Sequence, residues 1–376
     1  MNYFIFLIPI VATYALLKLQ IKFAGRLGLV DHPNARKLHK NIVPTSGGVV
    51  FVTVSLIGFV VFCKPEIFSK EMALLISTAI LLVTGAIDDR SDLSYKIKFI
   101  LQFFAVGLVV CSGYRIESLY GLFGIGELSL LISILISFVI GVGLINAVNF
   151  LDGIDGLCVT FSIGIFAILF FMNFESGTVN LPMLGWLTLS LLGFAVLNYS
   201  PAKIYMGDSG SLALGLLIYG FSISTISSKG ITMNPDIFLI IGFLLVPILD
   251  AIRLLIGRIL MGNTPFKADR NHLHHKLLIL GFNHTQATTF VLLLALLIGV
   301  CGHYFIEEGL ESIILVKLVL IYAITFEALV VIRNYRFLKM INFKELSINV
   351  KLFEERNNLI KNKRHGREIQ YRYYRR

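Results

Sequence analysis

The sequence predicts an all-α polytopic membrane protein of about 11 transmembrane helices, with the amino terminus outside and the carboxyl terminus in the cytoplasm. Three observations carry that reading. Apolar runs long enough to cross a bilayer recur along the chain, each close to the ~20 residues that a spanning helix needs. Hydrophobic residues fill 56% of the 376 positions and charged ones only 15%, far from the balance of a soluble domain. Lysine and arginine collect on alternate connections, which sets the orientation.

The runs fall at about 3–21, 47–63, 72–87, 97–113, 129–148, 157–173, 181–197, 211–227, 236–256, 287–304 and 312–332. The first is expected to stay in the mature chain: no basic residue precedes it, no small-residue cleavage site follows, and basic residues come after it. Asp88 and Asp89 end the third run, and Asp92 and Lys98 lead into the fourth. Asn146, Asn149, Asp152 and Asp155 follow at three-residue spacing around the start of the sixth, so they share one side of a helical turn. Asp208, Ser209 and Ser211 open the eighth. Cys63, Cys111, Cys158 and Cys301 have no paired spacing and read as packing residues. The chain divides into a membrane domain, 1–332, and a basic tail, 333–376, ending YRYYRR. That tail reads as a juxtamembrane segment held by anionic lipid, and no nucleic-acid partner is expected.

With the amino terminus outside, the inner segments hold 27 of the 33 basic residues and the outer loops four: Lys64, Lys70, Arg115 and Lys229. The acids sort as sharply. Eight of the ten aspartates lie in inner loops, whereas the outer loops carry eight glutamates and one aspartate, Asp236. Aspartate suits turns and caps, but that does not explain why glutamate is missing from the inner loops before the tail. A short, stiff carboxylate for a hard cation such as Mg²⁺ does.

Five polar clusters share the inner face: Asp31–Gly48, Asp88–Asp92, Asn146–Gly156, Asn198–Ser211 and Lys267–His275. Charge held at a bilayer marks a functional site by default. Paired carboxylates such as Asp88 and Asp89 can also simply cap a helix. MGDSGS at a helix start offers free N–H groups and a partial positive charge, a seat for phosphate or for a metal-holding carboxylate. His272, His274 and His275 follow Lys267, Asp269 and Arg270. A zinc site lacks a nearby cysteine to complete it, so anion binding is the better reading of that cluster.

Together the clusters resemble the polyprenyl-phosphate N-acetylhexosamine-1-phosphate transferase family of bacterial membranes. The resemblance runs from about Asp31 to Ala287. It rests on DD at 88–89, NAVNFLDGIDGL at 146–157, NYSPAKIYMGDSGS at 198–211 and HLHH at 272–275. The sequence looks like the branch that starts O-antigen, common-antigen and teichoic-acid chains. The phospho-MurNAc-pentapeptide branch shows an uninterrupted histidine triplet, and here Leu273 interrupts it.

The resemblance implies that undecaprenyl phosphate attacks the β-phosphorus of a UDP-N-acetylhexosamine, most simply UDP-GlcNAc, releasing UMP at the bacterial inner membrane. It implies Mg²⁺, with Mn²⁺ as substitute, on Asn149 and Asp208, and catalytic roles for Asp88, Asp89 and Asp152. Asp155 and Asn198 would bind the nucleotide. Lys40, Thr45, Lys98, Arg270, His272, His274 and His275 would contact phosphate or sugar. A homodimer remains open. A phosphate monoester has a second pKa of ~6, so Asp88 and Asp89 are expected to orient the acceptor more than to deprotonate it. Two rivals fit less well. A transporter places its polar groups near the bilayer midplane in broken helices. A CDP-alcohol phosphotransferase shares Asp152–Gly156 but wants AR where this chain has Val159 and Thr160.

Overall fold

The computed structural model describes residues 7–31, 42–63, 69–174, 181–228, 234–262, 264, 271–308, 314 and 316–332. The apolar runs fold as helices: α1 (Ile8–Leu27), α2 (Gly47–Cys63), α3 (Lys70–Ser91), α4 (Tyr95–Cys111), α5 (Leu130–Leu151), α6 (Leu157–Phe174), α7 (Leu181–Asn198), α8 (Gly207–Ser228), α9 (Ile237–Leu260), α10 (Leu273–Ile279) and α11 (His284–Glu307). Residues 316–332 are helical as well. Among the described residues eight helices are long and apolar enough to cross a membrane, while α2 and α4 have 17 residues each. The protein is an all-α polytopic membrane protein. It divides into two compact units, Met1–Ile324 and Thr325–Arg376, and the site described below lies in the first.

Two elements were not visible as apolar runs. A two-stranded antiparallel ribbon pairs β1 (Val30–Asp31) with β2 (Val43–Pro44), Val30 opposite Pro44. The seven-residue α10 carries the histidines and is too short to span. Helix ends also extend beyond the apolar runs, because capping rather than hydropathy terminates them. α1 continues through Lys22 and Arg26 to Gly28, whose left-handed φ of 68° brings the next N–H, that of Leu29, to the Ala24 carbonyl at 3.0 Å. α11 begins at a capping box in which Asn283 accepts from the Gln286 N–H at 2.8 Å and donates its own N–H to the Gln286 side chain at 3.0 Å.

α8 is the central helix. It packs on α2, α3, α5 and α6 and is buried along most of its length, whereas α1 is largely exposed. A helix apolar on every side belongs inside a protein or a membrane. The outer helices turn large apolar side chains outward instead, such as Val139, Phe171 and Val196, where hydrocarbon replaces water. Close packing on α8 needs small partners. A Cβ on Gly85 of α3 would strike the backbone of Asp208 and Ser209. Buried polar side chains bond locally or in pairs: Asn173 donates to the Leu169 carbonyl at 2.7 Å and to Thr225 at 2.8 Å.

The bundle brings one end of each of these helices together. The carboxyl ends of α3, α5, α7 and α9 and the amino ends of α4, α6, α8 and α11 meet, with α10 among them. On that face Ser91 and Asn271 are exposed, whereas Glu308 is exposed after the far end of α11. In a background lacking the four native cysteines, Ser91→Cys and Asn271→Cys are expected to resist a membrane-impermeant thiol reagent in intact spheroplasts and to react after permeabilisation. Glu308→Cys is expected to react from outside. Labelling of Asn271→Cys in sealed cells would overturn the amino-terminus-out orientation.

Candidate active site

The first turn of α8 organises the site. Gly207 starts the helix at a left-handed φ of 74°, and a Cβ there would collide with the Asp89 carboxylate. A helix amino terminus leaves N–H groups unpaired and carries partial positive charge. Asp89, from the end of α3, supplies the missing acceptor: it takes the N–H of Asp208 at 2.7 Å and that of Ser209 at 3.3 Å. Ser46 donates its hydroxyl to the same carboxylate at 2.8 Å. The segment before α2 runs alongside. Gly47 and Gly48 donate to the carbonyls of Tyr205 and Met206, both at 2.9 Å, and Tyr205 donates to Pro44 at 2.8 Å.

Around Asp208 the charges converge. Its Oδ1 accepts from Asn149 Nδ2 at 3.0 Å and its Oδ2 from Lys98 Nζ at 2.9 Å. Lys98 also pairs with Asp88, whose other oxygen accepts the Leu93 N–H at 2.7 Å. Asn149 donates to Ser211 as well, at 2.8 Å. Asp152 accepts the Gly207 N–H at 3.2 Å from the opposite side. Asp88 and Asp208 therefore share Lys98, while Asp89 and Asp152 bond the N–H groups at the start of α8. Burial, then the charges of Asp208 and Asp89, push the Asp152 carboxyl well above its ordinary range, and the Gly207 N–H opposes this only in part.

Beside this cluster, Asp155 and Asn198 tie two loops together. Asp155 accepts the Ala202 N–H at 3.1 Å and lies 3.4 Å from His284 Nδ1. Burial alone would raise its carboxyl, but His284 and the Ala202 N–H outweigh it and hold Asp155 below the usual range. Asn198 is buried, accepting the Gly156 N–H at 3.2 Å and donating to the Ile204 carbonyl at 2.9 Å. Its amide thus ties the loop after α5 to the segment before α8.

The histidines line the same end. His272 is tilted against Phe150, next to Asn149, with ring centroids 4.9 Å apart. His274 stacks on His272 at 5.5 Å and lies 4.3 Å from His275. Burial, then its histidine neighbours, push His274 well below the ordinary imidazole range. Thr45 donates its N–H to the Leu29 carbonyl at 3.0 Å, in the strap that carries Ser46. Lys40 and Arg270 lie outside the described residues.

Two residues in this sector were not singled out from the sequence. Asp250 was absorbed into an apolar run, although Arg253 three residues later was a signal that a charge pair was present. Its carboxylate accepts from Arg253 at 2.8 Å, from the Leu273 N–H at 3.1 Å and from Tyr322 at 3.2 Å, and it meets His272 Nδ1 at 2.9 Å. His284, which also accepts the Asp155 N–H at 3.2 Å, had no motif around it.

Comparison with known proteins places this geometry. A family model described as glycosyl transferase family 4 matches residues 71–226. The chain is 32% identical to the decaprenyl-phosphate N-acetylglucosaminephosphotransferase of Mycobacterium leprae, covering 74% of this chain and 76% of that protein. It is 30% identical to the undecaprenyl-phosphate alpha-N-acetylglucosaminyl 1-phosphate transferase of Yersinia pestis, over 75% and 78% of the two chains. The protein of that name from Escherichia coli O157:H7 is 31% identical over 80% and 84%. The chain belongs to glycosyl transferase family 4. It is an enzyme, a membrane transferase of this family, and the family match spans α3 to α8, the helices that deliver Asp88, Asp89, Lys98, Asn149, Asp152, Asp155, Asn198 and Asp208.

In this family 4 transferase the raised Asp152 has a consequence for stability. Between the unfolded carboxyl value, ~3.9, and its higher folded value, the folded chain keeps a proton that the unfolded chain has released. Stability therefore falls as pH rises through that window. Without added divalent metal, the thermal midpoint in detergent is expected to fall as pH rises above the ordinary carboxyl range, and Asp152→Asn to flatten that fall while suppressing transfer. A wild-type midpoint that climbs instead, or an Asp152→Asn profile as steep as wild type, would contradict this.

Proposed function

We propose that this protein transfers N-acetylglucosamine 1-phosphate from UDP-N-acetylglucosamine to undecaprenyl phosphate at the cytoplasmic face of the bacterial inner membrane. The products are undecaprenyl-diphosphate-N-acetylglucosamine and UMP, the start of a surface polysaccharide. The observation that carries the reading is the junction of Asp208, Asn149, Lys98, Asp88 and Asp152 at one end of the bundle. Phosphoryl transfer needs positioned charge more than covalent help, and a site at the helix ends is reachable both by a lipid-held phosphate and by a soluble nucleotide. The names of the relatives above support the sugar and the polyprenyl phosphate.

The residues suit a hard divalent cation in kind. Carboxylate and amide oxygens are the donors Mg²⁺ prefers, and Asp88 and Asp208 together outnumber the single Lys98 ammonium they share. No set of three or more His, Cys, Asp or Glu side chains stands arranged as metal ligands among the described residues. Asn149 also turns its Nδ2 to Asp208, so ligation by Asn149 and Asp208 calls for rotation of that amide. Mg²⁺ would neutralise diphosphate charge.

The chain's own groups do the rest. An acceptor phosphate oxygen attacks the β-phosphorus, a new P–O bond forms, and the bond to the bridging oxygen breaks as UMP leaves. Lys98, placed between Asp88 and Asp208, can turn to the diphosphate oxygens. Asp155, with the loop that Asn198 holds, faces the nucleotide. His272, His274 and His275 face the phosphates and sugar. Asp89 keeps Asp208 in place through α8.

Asp208→Asn is expected to abolish transfer without unfolding the protein. EDTA is expected to silence the wild type, with activity restored by Mg²⁺ or Mn²⁺, and Mg²⁺ to raise the thermal midpoint of wild type but not of Asp208→Asn. Full turnover in metal-stripped protein would remove the metal from the reading. In a panel of donors carrying N-acetylated glucosamine, galactosamine, fucosamine, quinovosamine or muramoyl-pentapeptide, UMP release is expected to be fastest with UDP-N-acetylglucosamine. Preference for another sugar would redirect the substrate assignment.

A further inference from the structure

Asp250 is an acid buried in the otherwise apolar α9, 7% exposed. A buried charge is costly unless paired and hydrogen-bonded, and this one is saturated from three segments. Its Oδ1 accepts from Arg253 on its own helix at 2.8 Å, from the Leu273 N–H at 3.1 Å and from Tyr322 of helix 316–332 at 3.2 Å. Its Oδ2 meets His272 Nδ1 at 2.9 Å. Arg253 also donates to the Asn271 carbonyl at 2.7 Å, so the pair grips both sides of His272. A cap for α10 would need only the Leu273 N–H, and the bond to the imidazole is additional.

Which imidazole nitrogen carries the proton is set by what the other touches. A carboxylate on Nδ1 fixes the proton there and turns Nε2 to the opposite edge of the ring. Phe150 holds one face of that ring, centroids 4.9 Å away, and the sequence neighbour of Phe150 is Asn149 of the carboxylate cluster. The groups around the ring are Asp250 and Arg253 from α9, Tyr322, and His274 and His275 from α10.

We infer that Asp250 is a positioning residue of the transferase: it fixes the tautomer and aim of His272, so that Nε2 faces the donor diphosphate. This rests on the reading that His272 contacts that diphosphate.

A double-mutant cycle on the full-length enzyme tests it, with kcat and KM measured for UDP-N-acetylglucosamine at saturating undecaprenyl phosphate. Loss of a group that orients an imidazole lowers function about 10- to 100-fold at metal sites, and a loss of that order in kcat/KM is expected for Asp250→Ala. Asp250→Asn is expected to lose less, because its amide oxygen still accepts from Nδ1–H. The decisive arm is Asp250→Ala with His272→Ala: the double variant is expected to match His272→Ala alone, because Asp250 acts through the ring. Losses that multiply would show an independent structural role and overturn the inference, as would an Asp250→Ala enzyme within about twofold of wild type. If Asp250→Ala fails to fold, the cycle is run with Asp250→Asn on the same criterion. A fully active His272→Ala would instead refute the diphosphate contact itself, and the positioning role with it.

Discussion

The Asp89 carboxylate under the first turn of α8 is the contact on which the rest of the site depends. It satisfies the N–H groups of Asp208 and Ser209 and takes the Ser46 hydroxyl. One acid thus sets the register of α3, of the strap before α2 and of the central helix. Each residue of an α-helix turns its side chain by about 100°, so a helix begun one residue later would swing Asp208 away from Lys98 and Asn149. Gly207 and Gly85 are the steric conditions for that seat: one admits the carboxylate and the other admits the turn.

The same arrangement gathers like charges. Asp88 and Asp208 both pair with Lys98, with Asp89 and Asp152 bonded to the first turn of α8 beside them, and packing alone would not select such a set. Hydrogen bonds from backbone N–H groups at Leu93, Gly207, Asp208 and Ser209 spread part of the charge into the fold. What remains is carboxylate charge gathered at this end of the bundle. The local conflict is typical of a site kept for chemistry rather than for stability.

Hydropathy and charge made much of this legible. Each apolar run is met by a helix, and the clusters at 88–92, 146–156, 198–211 and 272–275 do converge. Spacing alone could not give the division of labour within them. Asp88 and Asp89 are adjacent in sequence, yet one meets Lys98 and the other caps α8, because neighbouring helical residues point in different directions. Asn146 and Asn149 read as one ladder, but Asn146 turns to Gln102 at 2.8 Å and leaves the cluster. Asp250 was hidden by its apolar neighbours, since apart from Arg253 its partners are 22 to 72 residues away in the chain. α10 was hidden because seven residues bearing two histidines carry no span signal.

The burial of α8 bears on how the protein is made. Its partners α2, α3, α5 and α6 all precede it in the chain. When α8 leaves the ribosome, the socket that receives it has therefore already been synthesised. It is less apolar than α5, though apolar enough to span. Its glycines and serines find their complement in neighbouring helices. The first turn of α8 thus meets a socket already synthesised, and α9, α10 and α11 follow to complete that end of the bundle.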